Sequence, residues 1–436
     1  MPNCTVNKLD FGRLQRRVIE ADFQGGALSS DGGAILLRQV DQRIGLSAAI
    51  ADALRDRRDP TRITHTHQDL VAQRLYALAL GHEDLNDHDR LRNDPMIQTA
   101  VGRIEQLASS PTLCRFEASV TREEIVALNQ VLVEQFIASF TQRPNQLILD
   151  IDASDIPLHG NQEMRQFHGY YDHYCYLPLY IYCGDALLTC VLRNSRIDGA
   201  KHAAAIIKLL VTRLRQQWPD VQIIVRGDSG FCRQLLINWC ERNQVHYVIG
   251  LARNSRLQEA VSHWERRLKI RHQHTGCKQR AIYELTYGAR AWKKERRVIT
   301  RLEYGSQGSN PRYVVTNLKA CPVWIYDTLY CKRGEAENRI KETQLDLFGT
   351  RTSCRRFIAN WFRIMLSGLA YTLMQRLKDL ALTGTKLANA TTSTIRVRLL
   401  KIGAAVVRNT RRIRIMFASH HPLQDILVRA VRALSP

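Results

Sequence analysis

Hydrophobic residues recur along the chain with two different periods, and the change from one period to the other divides it. From 26 to 140 the apolar positions mostly follow one face of a helix, most clearly in the segment 68–78, with Gly81 as a stop signal. From 146 onward, short apolar runs bounded by turn residues take over, which is typical of buried strands. The sequence therefore predicts a mostly helical region followed by a region that contains a sheet.

The apolar runs after 146 alternate with helical patterns in a definite order. Strands are predicted at 146–152, 174–183, 186–193, 221–226 and 246–251, with helices at 199–216 and 231–243. The Gly184-Asp185 pair between the second and third strands predicts a hairpin. The resulting order, β-β-β-α-β-α-β, matches that of ribonuclease H-like folds.

Positive charge is concentrated in two segments of the chain. The formal net charge is +22; residues 253–312 hold 15 basic and 5 acidic residues, and residues 351–436 hold 16 basic and 2 acidic residues. The rest of the chain is nearly neutral. Such segments are typical of surfaces that bind a polyanion, and we favour nucleic acid over an acidic protein partner.

Periodicity and charge together predict an α/β protein. We expect a ribonuclease H-like catalytic core interrupted by a mainly β insertion, with a helical N-terminal DNA-binding region and a basic C-terminal region. The predicted regions are 1–140 (helical), 141–252 (first part of the core), 253–312 (basic insertion), 313–380 (second part of the core) and 381–436 (basic region).

The cysteine pattern bears on the compartment. Eleven cysteines are scattered with no Cys-x2-Cys pair, which predicts a reducing, cytoplasmic compartment. His272, His274 and Cys277 lack a clear fourth ligand, so we interpret their spacing as coincidence rather than a zinc site. There is no signal-peptide pattern and no run of about 18 apolar residues, so we expect no membrane association.

Three carboxylates stand where a metal-dependent phosphoryl-transfer site needs them. Asp152 ends the first predicted strand, Asp228 follows the fourth, and Glu337 lies in a helix predicted over 330–341. Oxygen ligands of this kind suit Mg²⁺, with Mn²⁺ as an alternative. Two ions roughly 3.5–4 Å apart would activate a nucleophile and stabilise the leaving oxygen.

The first of these ligands has rivals. Asp150 faces the same side of the strand as Asp152, and Asp155 is a weaker candidate. Asp150 and Asp152 also fit a haloacid dehalogenase-type phosphatase, but Cys232 stands where that enzyme class would need a further Asp. A ribonuclease H-like nuclease without strand transfer and a non-catalytic DNA-binding protein are two further interpretations of the same chain.

The helix at 330–341 carries a polar stripe. Tyr330, Arg333, Glu337 and Lys341 are spaced i, i+3, i+7 and i+11, so they fall on one narrow face. This is a poor pattern for a core, but it suits a carboxylate on a metal with Arg and Lys on neighbouring phosphates. An exposed, salt-bridged helix is the alternative interpretation.

A second short helix is predicted near 109–117, where Ser-Pro favours a helix start. Its side chains Thr112 and Arg115 are candidates for contacts in a DNA groove, as in helix-turn-helix proteins. Ordinary helix packing is the alternative.

Three motifs suggest a family. They are Asp152-Ala153-Ser154, Gly227-Asp228-Ser229-Gly230-Phe231 and Tyr330-x2-Arg333-x3-Glu337, with further matches at 29–34, 84–87, 110–116, 314–318 and 337–342. Their combination resembles the DDE transposases of bacterial insertion sequences, in the branch with a β-rich insertion between the second Asp and the Glu. Within that branch the chain is most similar to the group numbered thirteen-eighty.

This resemblance implies cut-and-paste transposition of DNA. Double-stranded DNA would be cleaved at the inverted-repeat ends of the element and joined to target DNA, with two divalent ions held by Asp152, Asp228 and Glu337. Tyr330 and Arg333 would contact the DNA end. The resemblance also implies a homodimer on paired ends and a bacterial, nucleoid-associated location in the cytoplasm.

Two single positions complete the resemblance. The related signature has a Lys seven residues after the Glu, where this chain has Gln344, which leaves Lys341 as the phosphate contact. In relatives an aromatic residue of the insertion stacks on a flipped base; Trp292 is the candidate, with packing inside the insertion as the alternative. The basic neighbours expected to contact DNA are Lys293, Lys294, Arg296 and Arg297.

Overall fold

The structure is a computed structural model of the chain, and it describes residues 8–435. The chain divides into two units. Unit 1 comprises the described residues of Met1–Ser47, Asp56–Arg115 and Arg376–Pro436, and unit 2 comprises Ala48–Arg55 and Phe116–Gln375. Between residues 8 and 435, none of the helices combines the length and apolar content needed to cross a bilayer.

Seventeen strands are found among the described residues. They are β1 Leu9–Leu14, β2 Arg17–Ala21, β3 Leu28–Ser29, β4 Gln146–Ala153, β5 Ile156–Pro157, β6 Gln166–His168, β7 His173–Tyr176, β8 Leu179–Cys183, β9 Ala186–Val191, β10 Gln222–Gly227, β11 His246–Leu251, β12 Gln279–Tyr287, β13 Arg296–Gly305, β14 Gly308–Ser309, β15 Arg312–Thr316, β16 Ala404–Arg408 and β17 Ile413–Phe417.

The α-helices of the same residues number fourteen. They are α1 Ala34–Ile44, α2 Leu46–Asp52, α3 His67–Leu80, α4 His88–Leu91, α5 Pro95–Val101, α6 Ser110–Ser119, α7 Arg122–Ala138, α8 Ala203–Gln217, α9 Gln234–Arg242, α10 Ser255–Thr275, α11 Gly334–Lys341, α12 Phe357–Leu377, α13 Thr392–Ile395 and α14 Gln424–Leu434. Tighter and wider helical turns flank α11 and make 324–346 one continuous helical stretch.

A mixed sheet forms the centre of unit 2. Its strand order is β12-β13-β15-β11-β10-β4-β8-β9, with β14 paired to β13. Strand β10 lies between β4 and β11 and runs parallel to both. Strand β8 pairs antiparallel with β4, and β9 pairs antiparallel with β8. Apart from β5, β6 and β7, which lie outside this sheet, the elements from β4 to β11 follow the predicted order β-β-β-α-β-α-β.

Both faces of this sheet are covered because its central strands are apolar on both sides. Ile223 and Val225 of β10 belong to a core cluster that also includes buried residues of α8, α9 and α10. Ile224, between them, points to the opposite face and packs with Ile325 and Leu329 of the helical stretch 324–346. That packing fixes the helical stretch against the sheet.

The sequence predicted that the segment 253–312 is mainly β, but the structure differs. Its first third is the long helix α10, and only then do β12 and β13 follow and extend the central sheet through β15. Helix α10 buries only Leu257, Val261 and Leu268 among its 21 residues. So narrow an apolar stripe in a strongly basic segment is easily missed when the periodicity is read from the sequence.

The strand predicted over 174–183 is broken into two. Strand β7 ends at Tyr176 and β8 begins at Leu179, with Pro178 between them. Proline has no backbone N–H to donate to a ladder, so it separates the two pieces. Strand β7 pairs with β5 and β6 in a separate small sheet, while β8 joins the central sheet.

Unit 1 contains the helix predicted from the periodicity at 68–78. Helix α3 begins after a capping box formed by Thr66 and Asp69, and it ends at Gly81, which adopts a positive φ of 92°. A three-stranded sheet of order β17-β16-β3 also lies in this unit and joins chain segments from both ends of the sequence.

Candidate active site

The ends of β4 and β10 bring Asp152 and Asp228 to one edge of the central sheet. The two strands are parallel, with Ile151 opposite Gly227, so the next residue along each strand is an aspartate. Asp228 accepts a hydrogen bond of 2.9 Å from the Gly230 N–H, which fixes its carboxylate over the turn that follows β10. The carboxyl ends of parallel strands are the usual place for binding sites in such sheets.

Helix α11 supplies the third carboxylate. Ala336 and Ile340 are the buried face of this helix, and Arg333 and Glu337 lie on another face. Arg333 Nη2 donates a hydrogen bond of 2.7 Å to Glu337 Oε1, and its Nη1 lies 3.6 Å from Asp152 Oδ2. One guanidinium therefore bridges the carboxylates of Asp152 and Glu337.

Burial and negative charge perturb the first carboxylate of this site. Burial raises the pKa of Asp152 to about 7; the Arg333 guanidinium opposes that shift, and the charges of Asp228 and Glu337 add to it. Asp228 and Glu337 are thus each close enough to Asp152 for their charges to act on it. Such a group of oxygen donors is stabilised by bound cations.

Arg333 lies where it neutralises two of these carboxylates. Between residues 8 and 435, no group of three His, Cys, Asp or Glu side chains is already spaced to hold a metal ion. The donor set nevertheless fits a hard divalent cation, because all three side chains offer carboxylate oxygens and the charge of the half-buried Asp152 is not fully compensated. Moving the Arg333 side chain would open the space between Asp152 and Glu337.

Tyr330 lies beside the second aspartate. A methyl group built on Gly250 of β11 would lie 2.7 Å from the Tyr330 hydroxyl, 2.8 Å from the Ser229 nitrogen and 3.1 Å from the Asp228 carbonyl carbon. Burial raises the pKa of Tyr330, and the charge of Asp228 contributes in the same direction. Close approach of Tyr330 to the turn at Asp228 therefore requires glycine at position 250.

We predict that Gly250→Ala destabilises the protein by about 1–3 kcal/mol, because backbone atoms at the turn cannot move aside freely. The matched control is Gly305→Ala, also in a strand, where the nearest atom would lie 3.7 Å away on the flexible Lys278 side chain. Thermal unfolding of both variants measures the difference. Equal stability of the two variants would show that the contact at Gly250 has no such effect.

Asp150, the rival first ligand, is engaged inside the sheet. It lies directly opposite Arg226 of β10, and the two side chains form a bidentate ion pair. Both are almost fully buried, with 3% and 4% of their surface exposed. Arg226 also donates to the carbonyl of Leu329. Asp155, the weaker rival, lies 2.8 Å from His173 Nε2.

Comparison with known proteins identifies the family. A family profile described as transposase DDE domain group 1 matches residues 11–436. The chain belongs to this family. DDE transposases catalyse phosphoryl transfer on DNA and generally use divalent metal ions.

Individual proteins add little to this assignment. No curated protein matches the chain. Among solved structures, it is similar to the cryo-EM structure of a piggyBac transposase synaptic complex with hairpin DNA. The identity is 10%, the match covers 84% of this chain and 78% of that chain, and the TM-score is 0.41.

The lysine expected in this transposase seven residues after Glu337 is replaced by a side chain that faces inward. Gln344 is buried, and Ser154 Oγ donates a hydrogen bond of 3.4 Å to its Oε1. Lys341 is exposed at the end of α11. Position 344 thus faces Ser154, two residues beyond Asp152, whereas Lys341 faces solvent.

The predicted DNA contacts of the insertion pair mainly with protein groups. The Trp292 ring packs edge-on against the Tyr287 ring, with 5.7 Å between ring centroids. The Arg296 guanidinium lies 4.9 Å from the centroid of the Trp292 ring. Arg296 and Lys294 both form ion pairs with Glu241. Of the remaining two residues, Lys293 is exposed and Arg297 pairs with Glu284.

The two groove candidates share one face of helix α6. Thr112 is half-buried and its hydroxyl lies 3.1 Å from Ser109 Oγ. Arg115 is exposed and donates a hydrogen bond of 3.3 Å to Thr112 Oγ1. The structure thus holds Arg115 against Thr112 at the surface of the helix.

Proposed function

We propose that this transposase cuts double-stranded DNA at the ends of a bacterial insertion sequence of the thirteen-eighty group and joins those ends to target DNA. The observation that carries the proposal is that Asp152 lies within charge range of both Asp228 and Glu337, while Arg333 bridges Asp152 and Glu337. Phosphoryl transfer on DNA requires such a set of oxygen ligands for cations, and the family supplies the reaction class.

The proposed catalytic core is ribonuclease H-like. The strand order β9-β8-β4-β10-β11 supports it, because three antiparallel strands are followed by two parallel strands joined through helices. The segment 253–312 then extends the sheet beyond β11 before the chain reaches α11. This connection accounts for the long separation between Asp228 and Glu337 in the sequence.

The three carboxylates are proposed as ligands of two Mg²⁺ ions, which Mn²⁺ can replace. When bound, the ions supply an activated water or 3′-hydroxyl and stabilise the leaving oxygen. Asp152 and Asp228 are held by strand ends and offer rigid ligand positions, whereas Glu337 is 45% exposed and offers a more adjustable one. Arg333 must leave at least one of its two carboxylate partners when cations bind.

The released Arg333 side chain is then available for the DNA end. Its planar guanidinium suits two oxygens of one phosphate, and Tyr330 lies next to it at the turn of Asp228. Lys341 is proposed as a further phosphate contact on the same helix. The other proposed DNA contacts are Trp292, Lys293, Lys294, Arg296, Arg297, Thr112 and Arg115.

Cleavage followed by joining of two ends requires that both ends be held together, for which we propose a homodimer. The proposed location is the bacterial cytoplasm at the nucleoid, where the DNA substrate lies. The net charge of +22 supports binding to a polyanion in that location.

The test is strand cleavage by the purified protein on duplexes that carry the DNA flanking its own gene. With Mg²⁺ we expect cuts at one fixed position at each end, and products in which the cut ends are joined to a second duplex. A chelator should stop both reactions. Fixed cuts without any joined product would indicate a nuclease without strand transfer, and no metal-dependent cut would remove the proposal.

A further inference from the structure

The chain between β4 and β8 leaves the central sheet and forms a small sheet of its own. Strands β5, β7 and β6 pair in that order, and β6 and β7 form a hairpin in which His168 lies opposite His173. Asp172 closes the turn with a positive φ of 57° and donates its N–H to the His168 carbonyl. We call residues 165–174 the aromatic hairpin.

Three large aromatic side chains of the aromatic hairpin are exposed. Tyr170, at the tip, has 85% of its surface exposed, and Phe167 and Tyr174 have 52% and 42%. Phe167 and Tyr174 hold each other edge to face at 5.6 Å, and Tyr170 packs in the same way on Tyr171 at 5.1 Å. A group of exposed aromatic rings of this kind marks an interaction surface.

One guanidinium group and two imidazole rings accompany these side chains. The Arg165 guanidinium lies 4.0 Å from the centroid of the Tyr174 ring. The rings of His168 and His173 lie near that of Tyr171, at 4.9 and 6.0 Å between ring centroids. Aromatic rings interleaved with arginine and histidine are typical of surfaces that bind single-stranded nucleic acid, where bases stack and phosphates need positive charge.

The aromatic hairpin is tied to the strand end that carries Asp152. His173 Nε2 lies 2.8 Å from a carboxylate oxygen of Asp155, three residues beyond Asp152. Tyr171 lies close enough to both carboxylates that their charges, added to the larger effect of burial, raise its pKa to about 12. Tyr171 thus connects the proposed metal site with the exposed ring of Tyr170.

We propose that the aromatic hairpin stacks on unpaired bases of the DNA strand next to the scissile phosphate, with Tyr170 as the principal stacking residue. The proposal rests on the proposed function, because it takes the site at Asp152 as the place where DNA is cut. Bases at a strand break lose a stacking neighbour, and an exposed aromatic ring replaces it without regard to sequence. Tyr170 contacts the ring of Tyr171, which in turn lies next to His173, the residue that pairs with Asp155.

The test measures binding rather than cleavage. The full-length protein is titrated, in buffer without divalent cations, with a short fluorescent blunt duplex and with the same duplex carrying a single-stranded thymidine tail. We expect tighter binding of the tailed duplex, and we expect Tyr170→Ala to reduce this preference by roughly tenfold. Tyr170→Phe keeps the ring and should keep the preference.

Phe23→Ala is the matched control, because it removes another exposed aromatic ring, in unit 1, with 93% of its surface exposed. A preference that is unchanged in Tyr170→Ala, or that falls equally in Phe23→Ala, would overturn the proposal. If Tyr170→Ala instead weakens self-association without DNA and leaves the tail preference intact, the aromatic hairpin binds a second copy of the chain and the proposal is wrong.

Failure of this proposal is distinguishable from failure of the proposed function. Tail preference is measured without strand cleavage, and Glu337→Gln, which should strongly slow cleavage, should retain the preference. A protein that cuts DNA but shows no contribution of Tyr170 keeps the proposed function and loses only the role of the aromatic hairpin.

Discussion

Glu337→Gln is expected to lower the rate of DNA strand cleavage by on the order of a thousandfold, whereas Glu335→Gln should leave it nearly unchanged. A cation held by a carboxylate contributes several kcal/mol to the stability of the transition state, and about 1.4 kcal/mol corresponds to a factor of ten in rate. The amide of glutamine keeps the size of the side chain but removes the charge that the proposed cations need.

Glu335 is a well-matched control for Glu337. Glu335 lies on the same helix α11, is exposed, and pairs only loosely with Arg339 at 3.7 Å. The two substitutions therefore make the same chemical change at positions that face different directions. Single-turnover cleavage of an end-containing duplex with saturating Mg²⁺ measures the rates, and binding of that duplex is measured in parallel.

Either of two results would contradict the assignment. Undiminished cutting by Glu337→Gln would remove Glu337 from the site. An equal loss in both variants would point to a general effect of negative charge on the helix rather than to a ligand. Loss of DNA binding in Glu337→Gln would also weaken the interpretation, because the variant frees Arg333 from one carboxylate and should not weaken its contact with phosphate.

The two strand-end aspartates were predictable from local sequence. Apolar runs at 146–152 and 221–226 predict buried strands, and two antiparallel steps followed by a helical crossover give both strands the same direction. Residues that follow such strands meet at one sheet edge, as Asp152 and Asp228 do. The direction of β10 relative to β4 follows from the hairpin of β8 and β9 and from the crossover through α8.

The helical stripe of α11 was predictable in its spacing but not in its partners. In an exposed helix Lys341 would be the i+4 partner of Glu337, whereas Arg333 is the residue that pairs with Glu337. The choice depends on Asp152, which attracts Arg333 from outside the helix. A partner contributed by another element cannot be derived from helical periodicity alone.

The ion pair of Asp150 with Arg226 has a signal in the sequence. Each residue lies two positions before one of the strand-end aspartates, so both have the same phase in parallel strands. The aromatic hairpin was a different case. Its separation from the central sheet depends on Pro178 and on pairing with β5, which periodicity does not report.

Asp150→Asn and Asp152→Asn are expected to change stability in opposite directions. Asp150→Asn leaves the buried Arg226 without its counter-charge, and breaking such a pair lowers the free energy of unfolding by about 3–5 kcal/mol. Asp152→Asn removes a buried carboxylate that is repelled by two others. We expect this variant to gain about 1–2 kcal/mol at roughly pH 8 without divalent cations, a typical gain when a strained functional group is lost.

The pH dependence of Asp152→Asn follows from the direction of the pKa shift. The carboxyl titrates at about 7 in the folded protein and near 3.8 when unfolded, so the folded state holds the proton to higher pH. The wild-type protein therefore loses stability as the pH rises from the unfolded-state pKa to the folded-state pKa of Asp152. The loss of stability is complete only above the folded-state pKa. The gain of Asp152→Asn should accordingly be large at about pH 8 and small near pH 4.

Chemical unfolding of wild type and both variants, in chelator and in Mg²⁺, checks these expectations. Binding to the folded state alone stabilises a protein, so Mg²⁺ should stabilise wild type but not Asp152→Asn. The reverse pattern, with a stable Asp150→Asn that no longer responds to Mg²⁺ and an Asp152→Asn that does, would make Asp150 the first ligand. The buried pair with Arg226 argues against that result, because a carboxylate that compensates an arginine inside the sheet cannot turn to a cation without leaving the guanidinium uncompensated.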